Sequence, residues 1–238
     1  MKAELVSSLA EVGKSEWDSL NASEHPFTSY DFLNSLEISN SVSSKTGWNP
    51  QHIIVKNEKG NIIGVSPNYL KMHSYGEYIF DHAWANAFEN AGGQYYPKAL
   101  SAIPFTPATG PRVLINPNNP DKDKIFELII NMFEMIVQNN NLSSAHLNFI
   151  TDNLNKKLKN EKWIKRKGLQ FHWHNKDYNS FDDFLSKLKS SKRKAIKKER
   201  KTILNNNLVI QKVTGNDLND QIWDLSLIHI SEPTRLGF

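Results

Sequence analysis

The residues best suited to chemistry in this sequence are an acid followed by a base, Asp81 and His82, and two phenols nearby, Tyr95 and Tyr96. Neighbours on a strand point to opposite faces, so the acid and the base can handle a proton together only if the strand ends there and the chain turns. Tyr95 and Tyr96 could supply a phenol that acts as an acid or donates to an oxyanion. The alternatives are a buried histidine satisfied by the backbone and tyrosines that pack around Pro97.

Two cations, Lys98 and Arg112, flank the same region and suit a phosphate or a carboxylate. The segment 82–111 is rich in aromatic residues, glycine and proline and lacks clean periodicity, which is typical of a site-forming region rather than a linker. As isolated cations, the two side chains could equally be ordinary surface residues. His172 and His174 could share a strand face, but no third ligand lies nearby, so we predict no metal site.

The elements that must position these residues alternate between strand and helix patterns. Residues 1–20 form an amphipathic polar segment, and a helix is predicted to begin after Ser29 as its N-cap. The clearest pattern is a hairpin with strands at 52–56 and 62–66. The order of elements predicts a mixed α/β (α+β) fold with an antiparallel front. The remaining predictions are strands at 69–72, 77–81, 112–115, 146–149, 163–164 and 169–174, and helices at 83–91, 121–138, 152–158 and 181–188.

A family resemblance rests on the segments Phe80-Asp81-His82-Ala83-Trp84, Gly92-Gly93-Gln94-Tyr95-Tyr96-Pro97-Lys98 and Pro104-Phe105-Thr106-Pro107. The chain resembles the FemAB-like group of peptidoglycan biosynthesis or recognition proteins, within the GNAT acyltransferase superfamily. The resemblance covers roughly residues 17–224. Further matching segments are 46–48, 73–78, 109–112, 170–173, 181–185 and 192–200.

The resemblance implies two GNAT-like lobes, each with a largely antiparallel mixed sheet flanked by helices, and a transfer site between them. The first lobe would be residues 1–175, and 176–224 would be the truncated start of the second. The superfamily's usual grip on coenzyme A, a Gln/Arg-x-x-Gly-x-Gly/Ala turn at a helix N-terminus, is not found. Fem-type enzymes similarly lack it and use an aminoacyl-tRNA. The donor therefore stays open between acyl-CoA and aminoacyl-tRNA, with no other cofactor predicted.

The chemistry and positions of these residues give the predicted site. Asp81, His82 and Tyr96 are predicted to be catalytic. Contacts with a small-molecule or peptide acceptor are predicted for Trp48, Tyr75, Trp84, Tyr95, Lys98, Phe105, Thr106, Arg112, His172 and Trp173.

Positive charge is concentrated between residues 187 and 201, where nine Lys and Arg side chains face a single acid. At helical spacing Lys194, Lys197, Lys198 and Lys201 share a face, which could contact tRNA phosphates or the diphosphate of a lipid-linked precursor. The alternative is a solvated helix with its lysines turned outward. The segment has no interleaved aromatic residues, which weakens a single-stranded nucleic-acid interpretation.

The C-terminal residues 225–238 are predicted to be a non-native tail. Residues 225–235 resemble the frame translation of a sequencing-library adapter, and the alternative is a natural strand followed by a turn. We therefore expect the natural chain to continue beyond Asp224.

The leading hypothesis is a bacterial, cytoplasmic transferase that moves an acyl or aminoacyl group onto an amine, linked to cell-wall precursors, by direct attack. A non-catalytic module that recognises such a precursor or a peptide is the alternative, and an RNA-binding protein is a third possibility. The chain has no cysteine, no apolar signal-peptide region and no apolar run near the ~20 residues that a membrane helix needs.

Overall fold

The computed structural model describes four stretches of the chain: 1–158, 162–169, 171–206 and 208–231, the last six residues as backbone only. The chain divides into two compact units, Met1–Leu169 and Gln170–Phe238. In the described residues, the first unit contains two four-stranded sheets and five α-helices, and the second contains three α-helices. The fold is therefore mixed α+β, as predicted.

The elements are numbered in chain order. The strands are β1 (Lys2–Val6), β2 (Trp48–Pro50), β3 (His52–Lys56), β4 (Ile62–Ser66), β5 (Tyr69–Lys71), β6 (Lys98–Ser101), β7 (Leu114–Ile115) and β8 (Ala145–Leu147). The α-helices are α1 (Lys14–Leu20), α2 (Tyr30–Ile38), α3 (His82–Asn90), α4 (Lys122–Asn139), α5 (Asp152–Lys157), α6 (Phe181–Ser186), α7 (Ser190–Asn205) and α8 (Asp220–Ser231).

The first sheet has the order β1-β3-β4-β7, and all of its neighbouring strands are antiparallel. Its strand β3 is an almost continuous apolar run because helices cover both faces. Ile53 and Val55 belong to the core built on the apolar stripe of α4. Ile54 points to the opposite face, where it joins Trp17 of α1 and Leu33 of α2.

The second sheet has the order β2-β5-β6-β8, and its β6–β8 pair is parallel while the other pairs are antiparallel. Lys71 on β5 lies directly opposite Lys98 on β6. Directly opposite residues of an antiparallel pair point to the same face of the sheet. Both lysine side chains are fully buried, so this face carries two buried cations side by side.

Several predicted elements are confirmed. The hairpin is formed by β3 and β4. Ser29 caps α2 by accepting a hydrogen bond from the backbone N–H of Phe32. The helices predicted at 83–91, 121–138 and 152–158 are α3, α4 and α5, each within one residue at both ends. Three further predicted strands are found as β5, β7 and β8, each shorter than predicted.

Other strand predictions are wrong. Residues 77–81 do not form a strand, because Tyr78 and Phe80 have positive φ angles of 57° and 49°. No strand is found at 163–164, or among the described residues of 169–174. Three strands were not predicted. The strands β1 and β6 each begin with a lysine and carry polar residues that hide the strand pattern, and β2 has only three residues and ends in a proline.

The helices of the second unit also differ in detail from the prediction. The helix predicted at 181–188 ends at Ser186, and α7 begins at Ser190. The helix α8 continues to Ser231, so the strand considered as an alternative for the tail is not formed. Residues 232–238 of the predicted tail lie outside the described residues. Among the described residues, no helix has both the length and the apolar character required to cross a bilayer.

Candidate active site

The buried ammonium group of Lys98 is the centre of a polar cluster in the first unit. Its Nζ donates hydrogen bonds to Ser74 Oγ at 2.8 Å and to Asp81 Oδ2 at 3.0 Å, and it lies 3.1 Å from Glu77 Oε2. The side chains of Lys98, Glu77 and Asp81 are fully buried. Charges removed from water in this way interact strongly, and they depend on one another for neutralisation.

The two carboxyl groups of the cluster differ in their affinity for a proton. Burial tends to raise the pKa of Asp81, but the charge of Lys98 and hydrogen bonds from Ser74, Lys98 and Tyr95 outweigh it and hold this pKa at about 2. The Tyr95 hydroxyl donates to Asp81 Oδ2 at 2.8 Å, and burial together with this carboxylate raises the pKa of the Tyr95 phenol. For Glu77, burial prevails over the charge of Lys98, and its pKa is raised. Asp81 is the permanent anion, and Glu77 is the carboxyl that can accept a proton.

A chain of hydrogen bonds leads from this buried charge to the half-buried phenol of Tyr96. Tyr96 Oη lies 2.8 Å from Ser74 Oγ, and Ser74 Oγ accepts the bond from Lys98. Lys98 in turn contacts Glu77. The order Tyr96, Ser74, Lys98, Glu77 therefore connects a phenol at the edge of the cluster with a buried carboxyl group.

Lys71 shares the sheet face of Lys98 but has different partners. Its Nζ donates to the backbone carbonyl of Tyr75 at 3.2 Å and lies 3.6 Å from the centroid of the Trp48 ring. Among the described residues, no carboxylate lies within ion-pair distance of it. Burial lowers the pKa of Lys71 to about 7, with Glu77 raising it and Lys98 lowering it further. The amine is therefore partly neutral near pH 7.

The structure does not bring the predicted pair Asp81 and His82 together. Asp81 turns inward to Lys98 and Tyr95, whereas His82 begins α3 and is exposed. The His82 ring lies 6.0 Å from the ring of Tyr75, which is also exposed. The chain does turn after Asp81, as the pair required, but the turn sends the two side chains in opposite directions.

Arg112 was predicted to bind a substrate, but in the structure its side chain contacts the protein's own backbone. It is fully buried, and its guanidinium donates to the carbonyls of Asn148 and Ala108 at 2.8 Å and of Pro111 at 3.1 Å. Burial lowers the pKa of Arg112 to about 10. Its donors hold neighbouring loops together, so Arg112 is not placed to bind an external anion. Lys98 is likewise neutralised from within the protein.

The predicted aromatic contacts separate into buried and exposed residues. Trp48 is buried beneath Phe105, with 5.5 Å between the ring centroids. Tyr75, Trp84 and Phe105 are exposed, and the predicted contact Thr106 is half-buried. Tyr75, Trp84 and Phe105 are therefore the predicted aromatic contacts of the first unit that are open to solvent.

The remaining predicted residues lie in the second unit. His172 and His174 have stacked rings 6.3 Å apart, and Trp173 is exposed. The lysines predicted to bind a polyanion are all exposed on α7, namely Lys194, Lys197, Lys198 and Lys201. Within the described stretches, no cluster of three acidic or histidine side chains is arranged to hold a metal ion.

Sequence reasoning missed several members of the cluster. Lys71, Ser74 and Glu77 were not singled out, nor was Asn148, whose amide donates to Glu77 Oε2 at 3.3 Å. His146 was also missed; burial lowers its pKa to about 4, so it is neutral at physiological pH. The signal that could have revealed the cluster is a charged residue at an inward position of an apolar strand, as in Tyr-Leu-Lys of β5.

The family match identifies the class of protein. The model of the FemAB-like family, described as peptidoglycan biosynthesis/recognition, matches residues 8–233. This chain belongs to the FemAB-like family, which confirms the resemblance seen in the sequence. None of the curated proteins shows significant similarity to the chain.

Solved structures similar to this chain include two named N-acetyltransferases. A ribosomal-protein-alanine N-acetyltransferase from Brucella melitensis biovar Abortus 2308 is 12% identical with a TM-score of 0.40, over 72% of this chain and 100% of that chain. The aminoglycoside N-acetyltransferase AAC(6')-Iy in complex with CoA is 8% identical with a TM-score of 0.37, over 73% and 98%. A tetramutant of the BH1408 protein from Bacillus halodurans is 10% identical with a TM-score of 0.38, over 71% and 100%. At these values the likeness is loose, and the family match carries the assignment.

Proposed function

We propose that this protein is a transferase that moves an acyl or aminoacyl group onto an amine of a cell-wall-related acceptor. Membership of the FemAB-like family supports a transferase acting on cell-wall-related substrates. The observation in the structure that supports it best is the hydrogen-bond chain from Tyr96 to the buried charges of Lys98 and Glu77.

The proposed reaction is direct attack of a neutral amine on the acyl carbonyl. The new N–C bond forms as negative charge develops on the carbonyl oxygen, and the bond to the leaving group then breaks. The hydroxyl of Tyr96 is the half-buried donor of the cluster, suited to bind that oxygen or protonate the leaving group. The ammonium group of Lys98 fixes Ser74, and its positive charge favours the developing negative charge.

The same chain can remove the proton that the amine loses. In this relay Lys98 first gives a proton to Glu77, whose pKa is raised by burial. The neutral amine of Lys98 then takes the hydroxyl proton of Ser74, Ser74 takes that of Tyr96, and Tyr96 takes the proton that the reacting amine loses. Among the described residues, Glu77 Oε1 and Asp81 Oδ1 are buried and have no hydrogen-bond partner.

Removal of the Tyr96 hydroxyl tests this proposal. We expect Tyr96→Phe to lower kcat by about 10²-fold or more, the usual contribution of a general acid or base. Tyr78→Phe is the matched control, because Tyr78 is exposed and outside the hydrogen-bond chain. Transfer would be measured with radiolabelled acetyl-CoA and, separately, aminoacyl-tRNA as donors, and with an amine-bearing cell-wall peptide as acceptor.

A second variant compares the buried cluster with an exposed side chain near it. His82→Ala removes an exposed side chain with no contact to Lys98, so we expect a smaller loss than for Tyr96→Phe. Turnover equal to wild type in both variants would contradict the site assignment. Binding of the peptide without consumption of either donor would instead support a recognition module.

A further inference from the structure

The second unit presents a strongly basic helix to solvent. The helix α7 carries seven Lys and Arg side chains and one glutamate. Every residue of α7, all of which the structure describes, is exposed or half-buried. Lys194, Lys197, Lys198 and Lys201 follow helical spacing, so they share one face. Lys197 pairs with Asp182 at 3.2 Å, whereas the other three lysines form no ion pair with the described residues. The face therefore keeps a positive charge that an anionic partner can complement.

Aromatic side chains adjoin this helix in space, although they are separate from it in sequence. Trp173, Tyr178, Phe181 and Phe184 line a groove of about 490 Å³. The guanidinium of Arg200 on α7 lies 4.3 Å from the centroid of the Phe181 ring. The aromatic groove and the basic helix are therefore parts of one surface.

Exposed aliphatic side chains occur on α7 and shortly after it in the chain. Leu204 lies three residues beyond Lys201 and seven beyond Lys197, which puts it on the lysine face of α7. Leu204 is 74% exposed, and Val209 and Ile210, which follow soon after the helix in sequence, are 94% and 77% exposed. Exposed apolar side chains of this kind mark interaction sites. We call the lysines, the aromatic groove and Leu204 the basic–apolar face, and we include Val209 and Ile210 as its neighbours in sequence.

We infer that the basic–apolar face binds the surface of an anionic lipid bilayer. Lysines next to exposed aromatic and aliphatic side chains are the combination by which peripheral proteins engage such a surface. The cations attract the anionic headgroups, and the apolar side chains enter the boundary between headgroups and acyl chains. Single-stranded nucleic acid fits less well. Its bases stack on aromatic rings, whereas exposed leucine, valine and isoleucine side chains offer no such stacking. The inference does not depend on the proposed transferase activity.

Vesicle flotation with the full chain tests this inference. We expect at least tenfold stronger binding to vesicles of phosphatidylcholine and phosphatidylglycerol at 7:3 than to phosphatidylcholine alone, and weaker binding in 0.5 M NaCl. The variant Lys194→Gln/Lys197→Gln/Lys198→Gln/Lys201→Gln should lose at least tenfold in affinity. The matched control has the same charge change at four exposed lysines of the first unit, and it should bind as wild type. Its substitutions are Lys2→Gln, Lys45→Gln, Lys59→Gln and Lys122→Gln.

The aliphatic residues distinguish a membrane from a nucleic acid. Val209→Ser/Ile210→Ser leaves the charge unchanged, and we expect it to weaken binding to anionic vesicles without altering binding to a fluorescent poly(U) RNA. Equal binding to neutral and anionic vesicles would overturn the inference, as would an equal loss in the control variant. Tight RNA binding combined with vesicle binding that ignores the serine substitutions would assign the face to nucleic acid.

Discussion

Lys71 and Lys98 lie opposite each other across two strands, yet their buried amines have different partners. Lys98 has two buried carboxylates within 3.1 Å, whereas Lys71 has a backbone carbonyl and the Trp48 ring. When two buried amines are adjacent and only one of them is paired with carboxylates, the other amine loses its proton more readily. Lys71 is the group that yields the proton.

The pH dependence of stability should therefore report on Lys71. Its pKa of about 7 in the folded protein lies below the ~10.4 of an unfolded lysine. Between these values the unfolded state binds more protons, so the free energy of unfolding should rise by roughly 1 kcal/mol per pH unit from pH 7.5 to 9.5. Urea denaturation across this range measures it. Lys71→Met should reduce this increase in the free energy of unfolding with pH. The control Lys59→Met, at an exposed turn, should leave it unchanged. If Lys71→Met has the same slope as the wild type, Lys71 is not the group responsible.

Loss of the Asp81 charge should destabilise the protein more than loss of a surface acid. Asp81→Asn leaves Lys98 buried with one carboxylate fewer, and removing one partner of a buried ion pair costs about 3–5 kcal/mol. The matched control is Asp123→Asn, which breaks an exposed pair with Lys157 of similar length and should have little effect. Chemical denaturation of both variants checks the difference, and comparable losses would mean that the cluster is not buried as described.

At the scale of elements, the irregular segment 74–81 supplies the acceptors for both buried lysines. The Tyr75 carbonyl accepts from Lys71, while Ser74, Glu77 and Asp81 surround Lys98. A regular strand would point successive side chains to opposite faces. The positive φ angles within the segment allow several of its groups to face the sheet together.

Gly76 is the position that should least tolerate a side chain in this segment. Its φ is +78°, and an added Cβ would lie 2.7 Å from a Phe105 ring carbon. Gly60 has a similar φ of +84° but open space around it. Gly60→Ala should cost about 1 kcal/mol, and Gly76→Ala about 1–3 kcal/mol more because of the steric overlap. Thermal or urea denaturation measures both, and adding Phe105→Ala should remove most of the difference; equal costs would contradict this packing.

The elements that the sequence predicted well are those with strong local signals. The hairpin has its turn residues, α2 has Ser29 as a cap, and α4 has a long apolar stripe. The segment 77–81 reads as a strand because Tyr78, Ile79 and Phe80 suit one. Its true conformation depends on Lys98, which is brought close only by tertiary pairing. The candidate site was therefore predicted in part: Asp81, Tyr95, Tyr96 and Lys98 were found, while Lys71 and Glu77 required the fold.

Across the whole molecule, apolar burial is distributed unevenly between the two units. All three buried clusters lie within the first unit, whereas Leu185 is the one buried apolar side chain among the described residues of the second. A unit with little buried apolar area has little to offset its conformational entropy. The first unit should therefore be the more stable one.

Limited proteolysis tests this difference. Residues 171–179 are described without helix or strand and include the exposed Lys176. We expect trypsin to cleave first at or beyond residue 165 and to leave a resistant fragment that contains the first unit. Mass spectrometry of the early products identifies the cut, and an initial cleavage within residues 1–158 would contradict the expectation.

The pairing of β8 with β6 has a consequence for how the chain is made on the ribosome. The hairpin can form once residue 66 has left the ribosome. The first sheet can be completed only after Ile115 has been made, and the second only after Leu147. At roughly 5–20 residues per second, several seconds separate these events. During that time Lys71 and Lys98 belong to an unfinished sheet, and Glu77 and Asp81 are not yet enclosed. We therefore expect the charges that end up buried to be hydrated in the nascent chain and to help keep it soluble until β8 pairs.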